Sequence, residues 1–249
     1  MARAGWPGGG GTTVTIGHVG IVACSAEGAA LCYRTICAEA APLLGAHAHP
    51  EISLHSHSLA RYVQCLDRDD WQGVGELMID SATLLARSGA NFLICPDNTI
   101  HRALPLIAPR SPLPWLHIAR EVAAEAARKG FRRVGVLGTR WLVMSEVYPD
   151  QLRERGIDSV RPPPADRDEI NRIIMDELVA GIVKPASVAF HLAAIDRLRA
   201  AGCDAVVLGC TEIPLIVSDS NASLPTLDST RLLARAALAR AVNGPGKAD

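Results

Sequence analysis

The chain has 249 residues, enough for one large domain or for two lobes of roughly 100–130 residues each. Apolar residues make up 49% of it but aromatics only 4%, so its core must be built mostly from Ala, Val, Leu and Ile, as suits helices packed on sheets. A formal net charge of −1, with acids and bases interleaved, excludes the basic footprint of a nucleic-acid binder.

Residues 1–14 are glycine-rich and without periodicity, and they read as a flexible tail outside the fold. Asn243–Asp249 reads as similarly loose. Between them short apolar runs alternate with longer amphipathic ones. Strands are predicted at Val19–Ala23, Glu51–His55, Asn91–Cys95, Arg133–Leu137 and Ala205–Gly209. Helices are predicted at Glu27–Ala40, Trp71–Ser88, Ile118–Lys129, Asp168–Ala180, Ser187–Ala201 and Thr230–Val242. Gly89, Gly130 and Gly202 follow three of these helices, where a left-handed residue ends a helix. Strands alternating with helices predict an α/β fold with parallel sheets. The cysteines at 24, 32, 37, 65, 95, 203 and 210 form no Cys-x-x-Cys pair, and no secretory leader or run of about 18 apolar residues stands out. A cytoplasmic protein without disulfides or a membrane span is expected. His55 and His57, two apart, mark one face of a strand or loop more readily than a metal pair.

An internal repeat organises the rest. Ser-Gly-Ala-Asn-Phe-Leu-Ile-Cys-Pro-Asp97-Asn-Thr lays over Ala-Gly-Cys-Asp-Ala-Val-Val-Leu-Gly-Cys210-Thr-Glu, which pairs Gly89 with Gly202 and Asp97 with Cys210. Val19-Gly-Ile-Val-Ala-Cys24 lays over Val134-Gly-Val-Leu-Gly-Thr139 in the same way. Two duplicated α/β lobes account for both matches. The expected division is 15–117 plus 221–249 for the first lobe and 118–220 for the second.

Ligands of open parallel sheets collect at the carboxyl ends of strands, where helix N-termini also point their N–H groups. Four polar clusters fall at such ends: Cys24-Ser25, Asp97-Asn98-Thr99, Gly138-Thr139 and Cys210-Thr211-Glu212. Their hydroxyls and amides can hold a carboxylate, although any single Ser or Thr there can equally cap a helix. Cys210, near helix N–H groups, is expected to have a lowered pKa and to act as base or nucleophile.

Gly209-Cys-Thr-Glu-Ile-Pro-Leu215 resembles the second signature of the aspartate/glutamate racemase family, and Asn98-Thr99 with His101 resembles the core of the first. Gly20-Ile-Val-Ala-Cys-Ser-Ala-Glu stands where that family has its opening segment, Val134-Gly-Val-Leu-Gly-Thr139 where its second lobe begins, and Leu224-Pro-Thr-Leu-Asp228-Ser where it closes. The resemblance spans roughly residues 16–240. It implies two pseudo-symmetric lobes with the active site in the cleft between them, and a small carboxylic or amino acid as substrate. It also implies an isomerase that needs no PLP, other cofactor or metal, and a homodimer or higher homo-oligomer. Inverting a carbon next to a carboxylate removes a proton on one face and returns one on the other, so each lobe must supply an acid/base group. By resemblance Asn98, Thr99 and Thr211 bind the α-carboxylate, with Ser25 and Thr139 as partners from the opening loops. Glu212 either binds the α-amino group or caps its helix. His101 packs beneath its loop, while His55, His57 and Arg61 border the specificity side; Trp141 either limits the side-chain pocket or lies on the surface.

The sequence departs from the family at one of these places: Asp97 stands where most members have the first catalytic cysteine. Three readings are open at this point. Asp97 is the first-lobe base facing Cys210, or it only orients substrate, or Cys95 turns into the site. The second reading leaves a one-cysteine decarboxylase, cis-trans isomerase or lyase. A non-catalytic small-acid binding protein is the alternative from another class.

Overall fold

The computed structural model describes residues 16–244; the predicted tail at 1–14 and most of the loose end at 243–249 lie outside them. Two parallel sheets are flanked by helices. The chain runs β1 (Val19–Ala23), α1 (Ala26–Leu44), β2 (Ile52–Ser56), α2 (Leu59–Leu66), α3 (Trp71–Arg87), β3 (Phe92–Ile94) and α4 (Leu104–Ile107). It continues through α5 (Ile118–Arg128), β4 (Arg133–Leu137), α6 (Arg140–Val143), α7 (Val147–Arg153), β5 (Asp158–Val160) and α8 (Pro164–Asp176). It ends with α9 (Pro185–Ala200), β6 (Ala205–Leu208), β7 (Thr226–Asp228) and α10 (Ser229–Asn243).

The first sheet has the order β2-β1-β3 and the second β5-β4-β6-β7, all parallel. Thus β2, β1 and β3 correspond in order to β5, β4 and β6, as the internal repeat requires. The central strands are buried along their whole length and read as unbroken apolar runs, because helices cover both faces of such sheets. A Leu93–Trp115 bridge stands outside β3 much as β7 stands outside β6.

Each lobe's last extended segment then hands the chain to a helix beneath the other sheet. Downstream of Trp115, Ala119, Val122, Ala123 and Ala126 of α5 pack with Val134, Val136 and Val207 of the second lobe. After β7, Leu233, Ala234, Ala237 and Leu238 of α10 pack with Val19, Ile21 and Phe92 of the first. Segment 221–249, grouped with the first lobe on sequence, is therefore split: β7 extends the second sheet and only α10 returns.

Most predicted elements match their sequence readings to within two residues, although α1 runs four residues past its expected end at Ala40, and Gly89, Gly130 and Gly202 do take positive φ, at 95°, 76° and 84°. The largest slip is α8, expected at 168–180. Pro164, with φ preset for a first helical turn, starts it earlier, and a separate turn at Leu178–Ala180 closes on left-handed Gly181. Among the described residues no helix is long and apolar enough to cross a membrane.

Candidate active site

All four polar clusters expected at strand ends line one cleft between the lobes. Cys24, Ser25, Asp97, Asn98, Thr99, Thr139, Cys210, Thr211 and Glu212 all contribute to its surface. Among the described residues no lysine, arginine or histidine does.

The β1/β3 register, Ile21 opposite Ile94, carried past the strand ends sets Cys24 opposite Asp97. The β4/β6 register, Leu137 opposite Leu208, likewise sets Thr139 opposite Cys210, and the Gly209 N–H donates to the Leu137 carbonyl at 2.8 Å to continue that pairing. Glycine is needed at 209. A Cβ there would lie 2.6 Å from the Leu137 carbonyl oxygen and 2.7 Å from Leu142 Cδ2.

Hydroxyls bridge the lobes. Ser25 Oγ lies 3.0 Å from Thr211 Oγ1, and Thr99 Oγ1 lies 3.0 Å from Thr139 Oγ1. Ser25 and Thr139 also cap α1 and α6, accepting from the Gly28 and Leu142 N–H groups at 3.2 and 3.4 Å. Asn98 is committed elsewhere. Its Oδ1 accepts from the Tyr148 hydroxyl at 2.5 Å and its Nδ2 donates to Ser229 Oγ at 3.0 Å, so its amide braces the loop against α7 and α10.

Asp97 and Cys210 are both partly exposed to the cleft, whereas their neighbours Asn98, Thr99, Thr211 and Glu212 are buried. Burial of its surroundings pushes the Asp97 carboxyl above the usual range, opposed by the Ile100 N–H, which donates to Oδ1 at 3.2 Å, and by the Cys24 thiol. Beneath the loop, Nε2 of buried His101 accepts from the Ile118 N–H at 3.2 Å, which leaves Nδ1 to donate to the Asp97 carbonyl at 2.7 Å. A neutral ring follows, and burial drives its pKa well down.

Cys210 corrects one expectation. Its pKa is raised, not lowered: burial dominates, and the Glu212 carboxylate adds to it by accepting from Sγ at 2.9 Å. The same Glu212 Oε2 accepts from Thr211 Oγ1 at 2.7 Å, and Glu212 makes no side-chain capping bond.

Cys95 points into the first lobe's core and is fully buried, beside Val22, Met78 and Ile100. His55, His57 and Arg61 do not line the cleft. His57 instead pairs with Asp80 at 2.9 Å and accepts from Arg61 Nη1 at 2.8 Å, while His55 bonds Ser81 at 2.9 Å. The cleft wall comes from Leu59 and Val63 on α2, Trp141 on α6, and Ile174, Met175 and Val179 on and after α8. Except for Trp141 these residues escaped the sequence reading. Only the amphipathic spacing of Leu59, Val63 and Leu66 could have signalled them.

The chain matches the Asp/Glu/hydantoin racemase family model over residues 21–237. Among curated proteins it is 24% identical over 191 residues to the broad specificity amino-acid racemase RacX of Bacillus subtilis, covering 75% of this chain and 80% of that one. A Yersinia pestis crystal structure assigned as an Asp/Glu racemase superposes with a TM-score of 0.83 at 32% identity, covering 91% of this chain and 100% of that one. An aspartate racemase homologue from Pyrococcus horikoshii superposes at 0.78 with 26% identity, covering 91% and 99%. With one family model spanning both lobes and the cleft between them, the chain belongs to the Asp/Glu/hydantoin racemases.

Proposed function

We propose that the protein inverts the α-carbon of a small amino acid by two-sided proton transfer between Asp97 and Cys210, without PLP. One observation carries this reading: these two residues, at equivalent strand ends of the two lobes, are the acid/base groups exposed to the shared cleft. An ionised aspartate and a protonated thiol are the natural states of the two groups near neutral pH, and the raised thiol pKa strengthens that assignment. Asp97 then removes the α-proton on one face and Cys210 returns one on the other. Hydroxyls of Ser25, Thr99, Thr139 and Thr211 are within the cleft to receive the α-carboxylate, which must take up the strain of a developing enediolate.

The wall argues for the side chain. With Leu59, Val63, Trp141, Ile174, Met175 and Val179 and, among the described residues, no cationic group, the cleft favours an apolar substrate side chain over that of aspartate or glutamate. Chiral chromatography of a panel of amino and hydroxy acids, incubated with enzyme free of added cofactor, tests both points. Racemised neutral amino acids are expected. Release of carbon dioxide or an alkene would place the protein with decarboxylases or lyases instead, and ligand binding without any turnover would make it a binding protein.

A further inference from the structure

Each lobe brings a thiol and a carboxylate together at the cleft. In the second lobe the pair is Cys210 and Glu212, joined by the 2.9 Å Sγ–Oε2 bond. In the first it is Cys24 and Asp97, which the β1/β3 register, carried past the strand ends, sets opposite each other and which line the same cleft. The order is reversed between them. In the first lobe the carboxylate meets the cleft and the thiol is 4% exposed behind it; in the second the thiol meets the cleft and the carboxylate is 3% exposed.

We propose that Cys24 is a positioning residue for Asp97: its thiol donates to the carboxylate and holds Asp97 ionised, as Glu212 holds Cys210 in register from behind. This rests on the proton-transfer reading of Asp97 given above. Asp97 needs such a donor because the groups facing it otherwise oppose its charge or do not offset it. They are Cys95 just after β3, Tyr62 from α2, neutral His101 beneath the loop, and Cys210 and Glu212 from across the cleft, with no cation among them. Besides Cys24, the N–H groups of Ile100 and Thr99 support the anion. A thiol suits the place because burial pushes its own pKa up, so it donates a proton without competing as an anion. Cys24→Ser keeps a donor there, and Cys24→Ala removes it.

The test compares pH profiles of kcat/KM for both enantiomers in wild type, Cys24→Ala and Cys24→Ser. For the enantiomer whose α-proton release is lost in Asp97→Asn, Cys24→Ala is expected to move the acid limb up by about one pH unit, the worth of a hydrogen bond to a charged group. For the other enantiomer Asp97 must be protonated, so its basic limb moves up as well. Cys24→Ser returns both limbs to near their wild-type positions. Uniform loss at every pH with no limb shift would mean a merely structural residue and overturns the proposal. So would a Cys24→Ser variant as inactive as Asp97→Asn at every pH, since Cys24 would then carry the proton itself. A carbon-13 titration of the Asp97 carboxyl in unliganded protein reads the same shift without turnover. It stands even if no racemisation is found, an outcome that would sink the functional reading alone. Should Cys24→Ala fail to fold, Cys24→Val fills the site without a donor and is expected to give the same shift; an unshifted titration in it overturns the proposal.

Discussion

Thr99 Oγ1 and Thr139 Oγ1 meet at 3.0 Å across the cleft, one from the loop after β3 and one from the end of β4. The two hydroxyls tie the lobes together, and in the proposed reaction they receive the substrate carboxylate. Because each can donate to an anion as readily as to the other, a bound carboxylate replaces one neutral bond with two charge-assisted ones. Thr99→Ala or Thr139→Ala is expected to lower kcat/KM by roughly 10- to 100-fold, as loss of one such bond does. Thr→Ser at either position keeps the hydroxyl and should recover most of it. Steady-state kinetics of the four variants checks this.

The raised pKa of Asp97 also bears on stability. A carboxyl whose folded pKa lies above its unfolded value binds more protons in the folded state between those two values. Stability therefore falls as pH rises through that window and stays low above it. Asp97→Asn removes the buried charge and keeps an oxygen for the Ile100 N–H. The variant is expected to melt above wild type at pH 7, with the gap closing as the buffer is acidified toward the ordinary aspartate range. Melting curves from pH 4 to 8 test it; a variant less stable than wild type throughout would show that the charge is satisfied in the folded state.

Gly209 sets where Cys210 stands. Gly209→Ala forces a Cβ against the Leu137 carbonyl oxygen at 2.6 Å, which can only be relieved by moving the β6 end. Overpacking of this kind costs about 1–3 kcal/mol. Denaturant unfolding should register that loss, and activity should drop by more than stability does because Cys210 moves with the strand end.

An apolar wall predicts which change would alter specificity. Met175→Arg puts a guanidinium on the cleft wall beside Ile174 and Val179, and its rate ratio for acidic over neutral amino acids is expected to rise by roughly 10-fold or more, about the worth of one charged hydrogen bond. If wild type already prefers aspartate or glutamate, the wall does not set the side-chain class.

Much of this is legible in the sequence. The unbroken apolar runs of β1 and β6 and the glycines ending α3, α5 and α9 carry strong local signals, and the internal repeat pairs Asp97 with Cys210 by spacing alone. What escaped were elements whose stability is tertiary. β5 and β7 are three residues each and lean on β4 and β6, with no alternation of their own. Likewise the partnership of Cys24 with Asp97 depends on strand register, and that of Asn98 with Tyr148 and Ser229 on helices from elsewhere in the chain. No linear spacing encodes either. The thiol pKa of Cys210 was misjudged for a related reason: proximity to helix N–H groups can be read from sequence, but burial beside Glu212 cannot.

The most direct measurement of the central claim is solvent deuterium incorporation at the α-carbon, followed separately for each enantiomer in wild type, Asp97→Asn and Cys210→Ser. Wild type should incorporate deuterium from both enantiomers at unequal rates, because one direction starts from the resting states of the pair and the other does not. Each variant should lose exchange for one enantiomer, and a different one in each. Undiminished exchange of both enantiomers in both variants would contradict the account.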